Sequence, residues 1–96
     1  MAKLKVQRLS TTAGENAGVE FERPGLQFLV TNTTGDNIYV CMDKEYNKDN
    51  AVLVPNETSR VVTAYAGSNN NIYTDILTIA AIATSDEGVE VQCILW

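Results

Sequence analysis

Leu26-Gln-Phe-Leu-Val-Thr-Asn-Thr-Thr-Gly-Asp-Asn-Ile-Tyr-Val-Cys-Met42 is the stretch on which the fold reading turns. Leu26, Phe28 and Val30 recur every second residue. So do Ile38, Val40 and Met42, with Tyr39 and Cys41 on the opposite face. A period of two is the signature of a half-buried strand. Between the two runs lies Asn32-Thr-Thr-Gly-Asp-Asn37, rich in residues that favour turns. The segment predicts two strands joined as a hairpin, with a loop longer than the two-residue ideal.

The same rhythm extends in both directions. Lys3 to Leu9 predicts a first strand, with Leu4 and Val6 inward and Lys3, Lys5 and Gln7 outward. Ser10 to Gly18 is small and polar and reads as a flexible arm or loop. Val19 to Glu22 alternates again, and Pro24-Gly25 supplies a turn signal. Downstream, Ala51–Val54 is stopped by Pro55, and Thr58 to Tyr65 continues as a strand before the Gly67–Asn71 loop. Ile72 to Ala83 also admits a helical face through Ile76, Ile79, Ala80 and Ala83. Its β-branched content favours a strand. Ser85–Gly88 reads as a turn into the last strand, in which Val89, Val91, Cys93 and Leu95 face Glu90 and Gln92 across the pleat. This final pair predicts a closing hairpin.

Seven or eight short strands in 96 residues imply one all-β domain over residues 1–96, a small antiparallel β-sandwich of jelly-roll-like or Ig-like type. A small β-barrel shares the pattern. Composition agrees: valine, isoleucine and threonine make up 26 of the 96 residues. A chain of this size buries roughly 60–70% of its unfolded surface, enough for one core.

Charge and composition also exclude functions. The net charge is −5, and it is uneven: residues 1–35 carry +1 and residues 36–96 carry −6. An acidic surface repels phosphate, so nucleic acid is not an expected partner. The basic Lys3, Lys5 and Arg8 read as the solvent face of the first strand. There is no apolar run of membrane-spanning length and no signal-peptide pattern, so synthesis in a cytosol and no membrane partner are expected. Histidine is absent, which removes the commonest general base and metal ligand. Cys41 and Cys93 have neither metal nor redox spacing. Buried free thiols are the default reading, and a disulfide between neighbouring strands is the other.

No catalytic residues are expected. Asp36, Asp43, Asp86 and Glu87 fall in turns, and Asp75 alone interrupts an apolar run. No cofactor is expected either. Asp43, Glu45, Asn47 and Asp49 place oxygen ligands at alternate positions, as a calcium loop does. Lys48 then stands where such a loop needs glycine, and Val54 where it needs glutamate, so these four are a weak metal candidate. Tyr39, Tyr46, Tyr65, Tyr73 and Trp96 could stack on sugar rings, which makes a non-catalytic carbohydrate-binding module the alternative function. The apolar ending Ile94-Leu95-Trp96 is the expected interface, docked on the chain's own core or on a neighbouring subunit, with Thr11–Gly18 next. The sequons at Asn32 and Asn56 read as accidental.

Several of these features occur together: a lysine-rich start, a loose Gly/Ala/Thr arm, Phe28-Leu-Val-Thr-Asn32 leading to Ile38-Tyr-Val40, a Val54-Pro-Asn-Glu57 turn and a closing Gly88-Val-Glu-Val-Gln92 segment. In this combination the chain resembles the small β-sandwich virion proteins of tailed bacteriophages and prophages. The resemblance implies a structural assembly protein that decorates a capsid, joins head to tail or forms part of a fibre. Its partners would be copies of itself or other virion proteins, and its destination the virion. No catalytic residue carries over, because the class has none. The arm at 10–18 would suit a segment that orders on assembly.

Overall fold

A computed structural model describes residues 5–43, 45–63 and 74–95. Eight strands are present among these residues: β1 (Val6–Thr11), β2 (Asn16–Gly25), β3 (Gln27–Asn32), β4 (Ile38–Cys41), β5 (Val52–Val54), β6 (Ser59–Thr63), β7 (Thr74–Ala81) and β8 (Ser85–Leu95). A short 3₁₀ turn spans Lys48–Asn50. The strands form two four-stranded sheets, ordered β1-β8-β3-β6 and β2-β7-β4-β5. All pairings are antiparallel. The outer pairs nest: β1 with β8, β2 with β7, β3 with β6, β4 with β5. A long hairpin wound over on itself gives this order, and it is the jelly-roll form of the sandwich.

The core lies between the sheets. Phe28, Val30, Val62, Val89, Val91 and Cys93 come from one sheet; Val19, Phe21, Ile38, Val40, Val54, Leu77 and Ile79 come from the other. Phe21 and Phe28 meet across the middle with ring centroids 5.3 Å apart. Each such side chain contributes about 1.5–3 kcal/mol on burial. In β7, Leu77, Ile79 and Ala81 are buried while Asp75 is exposed, as a strand and not a helix requires. Cys41 and Cys93 are both buried, and no disulfide joins them.

Both predicted hairpins are overturned. β3 and β4 lie in different sheets, as do β7 and β8. Among the described strands, only β4 and β5 are both consecutive and hydrogen-bonded to each other. A five-residue polar connection looks alike in sequence whether it closes a hairpin or arches from sheet to sheet. The arch between β3 and β4 is fixed by Asn32, whose side chain is fully buried. Its Nδ2 donates to the carbonyls of Asp36 (2.7 Å) and Val54 (3.0 Å). Its Oδ1 accepts from the amide (3.0 Å) and hydroxyl (2.8 Å) of Thr34. All four hydrogen-bonding positions of the amide are therefore used. The backbone of Asn32 also exchanges bonds with Thr58 and Glu57, which laces this arch to the one between β5 and β6.

Three further expectations change. The arm at 10–18 contracts to a turn at 12–15, with β1 and β2 running into it from either side. It is tied down: the Thr11 hydroxyl donates to the Ala83 carbonyl, the Ala13 amide to the Thr84 hydroxyl and the Gly14 amide to the Ala81 carbonyl. The sequence concealed this because the residues involved are short and polar. Second, the phase of β1 is reversed. Val6 is 39% exposed, while Gln7 pairs with core Val91. Leu9 and buried Thr11 set the phase, and the Gln7 amide at the sheet edge donates to the Glu20 carbonyl of the facing sheet (3.1 Å). Arg60 does the same on the opposite side. It sits across from core Val30 and donates to the Leu53 carbonyl (2.9 Å).

Third, Ser85–Gly88 is not a turn but an irregular stretch of β8, where the register with β1 shifts. Gly88 has φ +61°, and a Cβ there would collide with the Leu9 carbonyl oxygen. Pro24-Gly25 likewise falls in an irregular part of β2, where proline is tolerated.

Candidate interaction surface

The last residues of β8 break the alternation. Phe28 pairs with Cys93 but Gln27 pairs with Leu95, so two β8 residues oppose one on β3. Such a bulge turns the strand locally. Cys93 stays buried, while Ile94 and Leu95 are 43% and 45% exposed. Leu95 had been expected to face inward beside Cys93; the bulge carries it out. Of the three residues expected at an interface, Ile94 and Leu95 are thus together and uncovered, and Trp96 lies outside the described residues.

The neighbours of this bulge enlarge the patch. Register places Val6, Gln92, Leu29 and Val61 in one row across β1, β8, β3 and β6. Val61 is 48% exposed and Leu29 half-buried. Leu29 and Val61 were not singled out from sequence, yet a signal existed. Runs of adjacent apolar residues, Phe28-Leu29-Val30 and Val61-Val62, force one side chain of each to the outside of a strand. The next row along the same face is polar: Arg8, Glu90, Thr31 and Ser59. Arg8 Nε meets Glu90 Oε1 at 2.7 Å, and the Thr31 and Ser59 hydroxyls lie 2.8 Å apart. A shallow depression of about 580 Å³ lies over this row, also bordered by Asp86 and Glu87.

The outer face of the other sheet is partly covered by the chain itself. Cys41 and Thr78, paired across β4 and β7, point outward yet are buried, because Asp43 and Glu45 lie over them. Thr78 Oγ1 donates to the Asp43 carbonyl at 2.7 Å, and the Cys41 thiol approaches the carbonyls of Asp43 and Glu45 at 3.9 Å. This is the segment that carried the weak metal candidate. Asn47 Oδ1 accepts from the Asp49 amide and caps the 3₁₀ turn. Asp43 Oδ2 accepts from Asn50 Nδ2 at 3.2 Å. Asp43, Glu45 and Asp49 do not converge; among the described residues no three acidic or thiol groups gather as metal ligands would. Burial, then the neighbouring Cys41 and Tyr39, raise the Tyr46 phenol above its ordinary value.

Of the aromatic residues considered for stacking on sugar, Tyr39 is 38% exposed beside Leu53 on this face. Tyr65 and Tyr73 lie outside the described residues. The sequon asparagines serve the fold: Asn32 as above, and Asn56 by accepting from the Gly35 amide at 3.0 Å. No helix among the described residues is long and apolar enough to cross a membrane.

Comparison with family models, curated proteins and solved structures finds no match for this chain. What it can do is therefore read from its own sandwich and its own surface.

Proposed function

We propose that this chain is a structural assembly protein, a component of a bacteriophage or prophage virion, acting through protein–protein contact. One observation carries the reading: the bulge at the end of β8 turns Leu95 outward to join Ile94, on the face that carries Leu29 and Val61, instead of burying it. An apolar patch that the chain could have folded inward, but does not, fits a surface kept for a partner. The jelly-roll order supports the virion assignment by analogy of fold, since capsid domains are among its recurrent uses.

The test is co-sedimentation with assembled particles when the chain is produced together with its neighbouring gene products. The expected result is incorporation that is lost in Ile94→Asp/Leu95→Asp while the melting temperature holds. A chain that stays outside every particle, and binds on a glycan array in a Tyr39-dependent way, would replace this reading with a carbohydrate-binding module.

A further inference from the structure

Among the described residues the sandwich has two open sides. β5 and β6 flank one, β1 and β2 the other. The β5 side is poorly suited to adding a strand, because β5 has three residues and Pro55 follows it. On the other side, β1 has six residues and β2 runs regularly against β7 from Asn16 to Glu20. Among the described strands each has one partner, β8 and β7 respectively. The two edges carry opposite charge. β1 and its approach present Lys5 and Arg8, whereas β2 and its approach present Glu15 and Glu20. All four are exposed.

We infer that this side pairs with a second copy of the chain, β1 of each copy adding to β2 of the other. The inference names one partner for the assembly reading and rests on it. Charge at an edge strand ordinarily discourages pairing. Here it discriminates between pairings. A two-fold axis normal to the sheets would set β1 beside β1 and β2 beside β2, with like charges along both seams. A two-fold axis parallel to the strands sets β1 beside the partner's β2, twice, with opposite charges along both.

Direction and height fit the second arrangement. β1 and β2 run oppositely, being joined by the turn at 12–15, so the added pairs are antiparallel. The bond from Gln7 Nε2 to the Glu20 carbonyl puts Gln7 and Glu20 at one height. Rotation about the strand direction preserves height, so Arg8 of each copy arrives beside Glu20 of the other. Arg8 and Glu20 also share the outward side of their strands: Arg8 pairs with outward Glu90, and Glu20 with outward Ile76. The Arg8 guanidinium is 75% exposed while bonded to Glu90, and its five N–H donors allow a second carboxylate. Both sheets then run continuously from one copy into the next, the main-chain mode of strand addition.

Charge reversal tests this directly, with mass read by light scattering after size exclusion. The wild type is expected at twice the chain mass, and Arg8→Glu and Glu20→Lys each at one. An equimolar mixture of the two variants is expected to return to twice the chain mass, because both seams of the mixed pair regain opposite charges. A folding defect would not be repaired by mixing. Arg8→Glu is also made together with Glu90→Lys, which keeps an ion pair within the sheet. A wild type that is monomeric throughout, or a mixture that stays monomeric, overturns the inference. So does an oligomer indifferent to both reversals but dissolved by Ile94→Asp/Leu95→Asp, an outcome that leaves the assembly reading standing.

Discussion

Asn32 and Leu95 break the inside–outside rule in opposite senses. Asn32 is a polar side chain at the heart of the sandwich; Leu95 is an apolar one turned out of it. At Asn32 the exception is resolved within the chain, by four hydrogen bonds that saturate the amide. At Leu95 and its neighbour Ile94 nothing in the described chain covers the exposed carbons. The first exception specifies the fold, since it fixes which way the chain arches after β3. The second leaves apolar carbon exposed on the outer face of a sheet, which the proposed function assigns to a partner.

The comparison breaks most severely at Asn32. Asn32→Leu keeps the volume but strands the Val54 carbonyl and the Thr34 amide, and should cost about 4 kcal/mol, read by urea unfolding. A loss below about 1 kcal/mol would mean that the arch is held by its backbone bonds alone. Gly88→Ala comes next. A Cβ forced against the Leu9 carbonyl at φ +61° should cost about 2–3 kcal/mol and weaken the β1–β8 seam first, which amide exchange in β1 would show. Ile94→Asp/Leu95→Asp should shift folding stability by no more than about 0.5 kcal/mol, as expected of half-exposed positions. Its effect belongs to association, and a large drop in melting temperature would return these residues to the fold.

The smallest effect concerns the other outer face, which the chain covers for itself. The Tyr46 phenol is raised from 10.0, so the folded chain holds this proton to higher pH than the unfolded chain. The associated stability is complete below the unfolded value and is lost as pH rises through the folded one. Thermal melts between about pH 9 and 12 should therefore fall less steeply in Tyr46→Phe than in the wild type. Parallel curves would show that the Tyr46 phenol titrates alike in the folded and the unfolded chain.

Strands were legible in the sequence wherever alternation was clean. Phe28 and Val30, and Ile38 and Val40, lie on the faces their spacing predicts. Pairing was not legible, because turn chemistry is local and the choice between hairpin and arch is made by distant groups. Asn32 reaches Val54, 22 residues on, and no spacing rule contains that bond. The surface was half legible. The apolar ending at Ile94 and Leu95 stood out, but whether Leu95 pointed in or out depended on a bulge opposite Gln27. The four oxygen-bearing residues from Asp43 to Asp49 had a metal-like spacing, yet they serve a cap and a cover. The same side-chain oxygens that bind cations also accept from backbone amides.

The nested strand order has a consequence for how the chain reaches this structure. The β4–β5 pair closes over a short loop, and each later pair encloses the one before it, so the fold can grow outward from its middle. β8 follows the other seven described strands in the chain yet lies between β1 and β3. Until it emerges from the ribosome, β1 has no neighbour and the first sheet has a gap. Folding therefore waits on synthesis of β8, and the bulge that turns Leu95 outward forms only as that gap is filled. Until then the facing edges of β1 and β3 and the core side chains behind them stay uncovered, so the chain lacking β8 is the species most prone to aggregate.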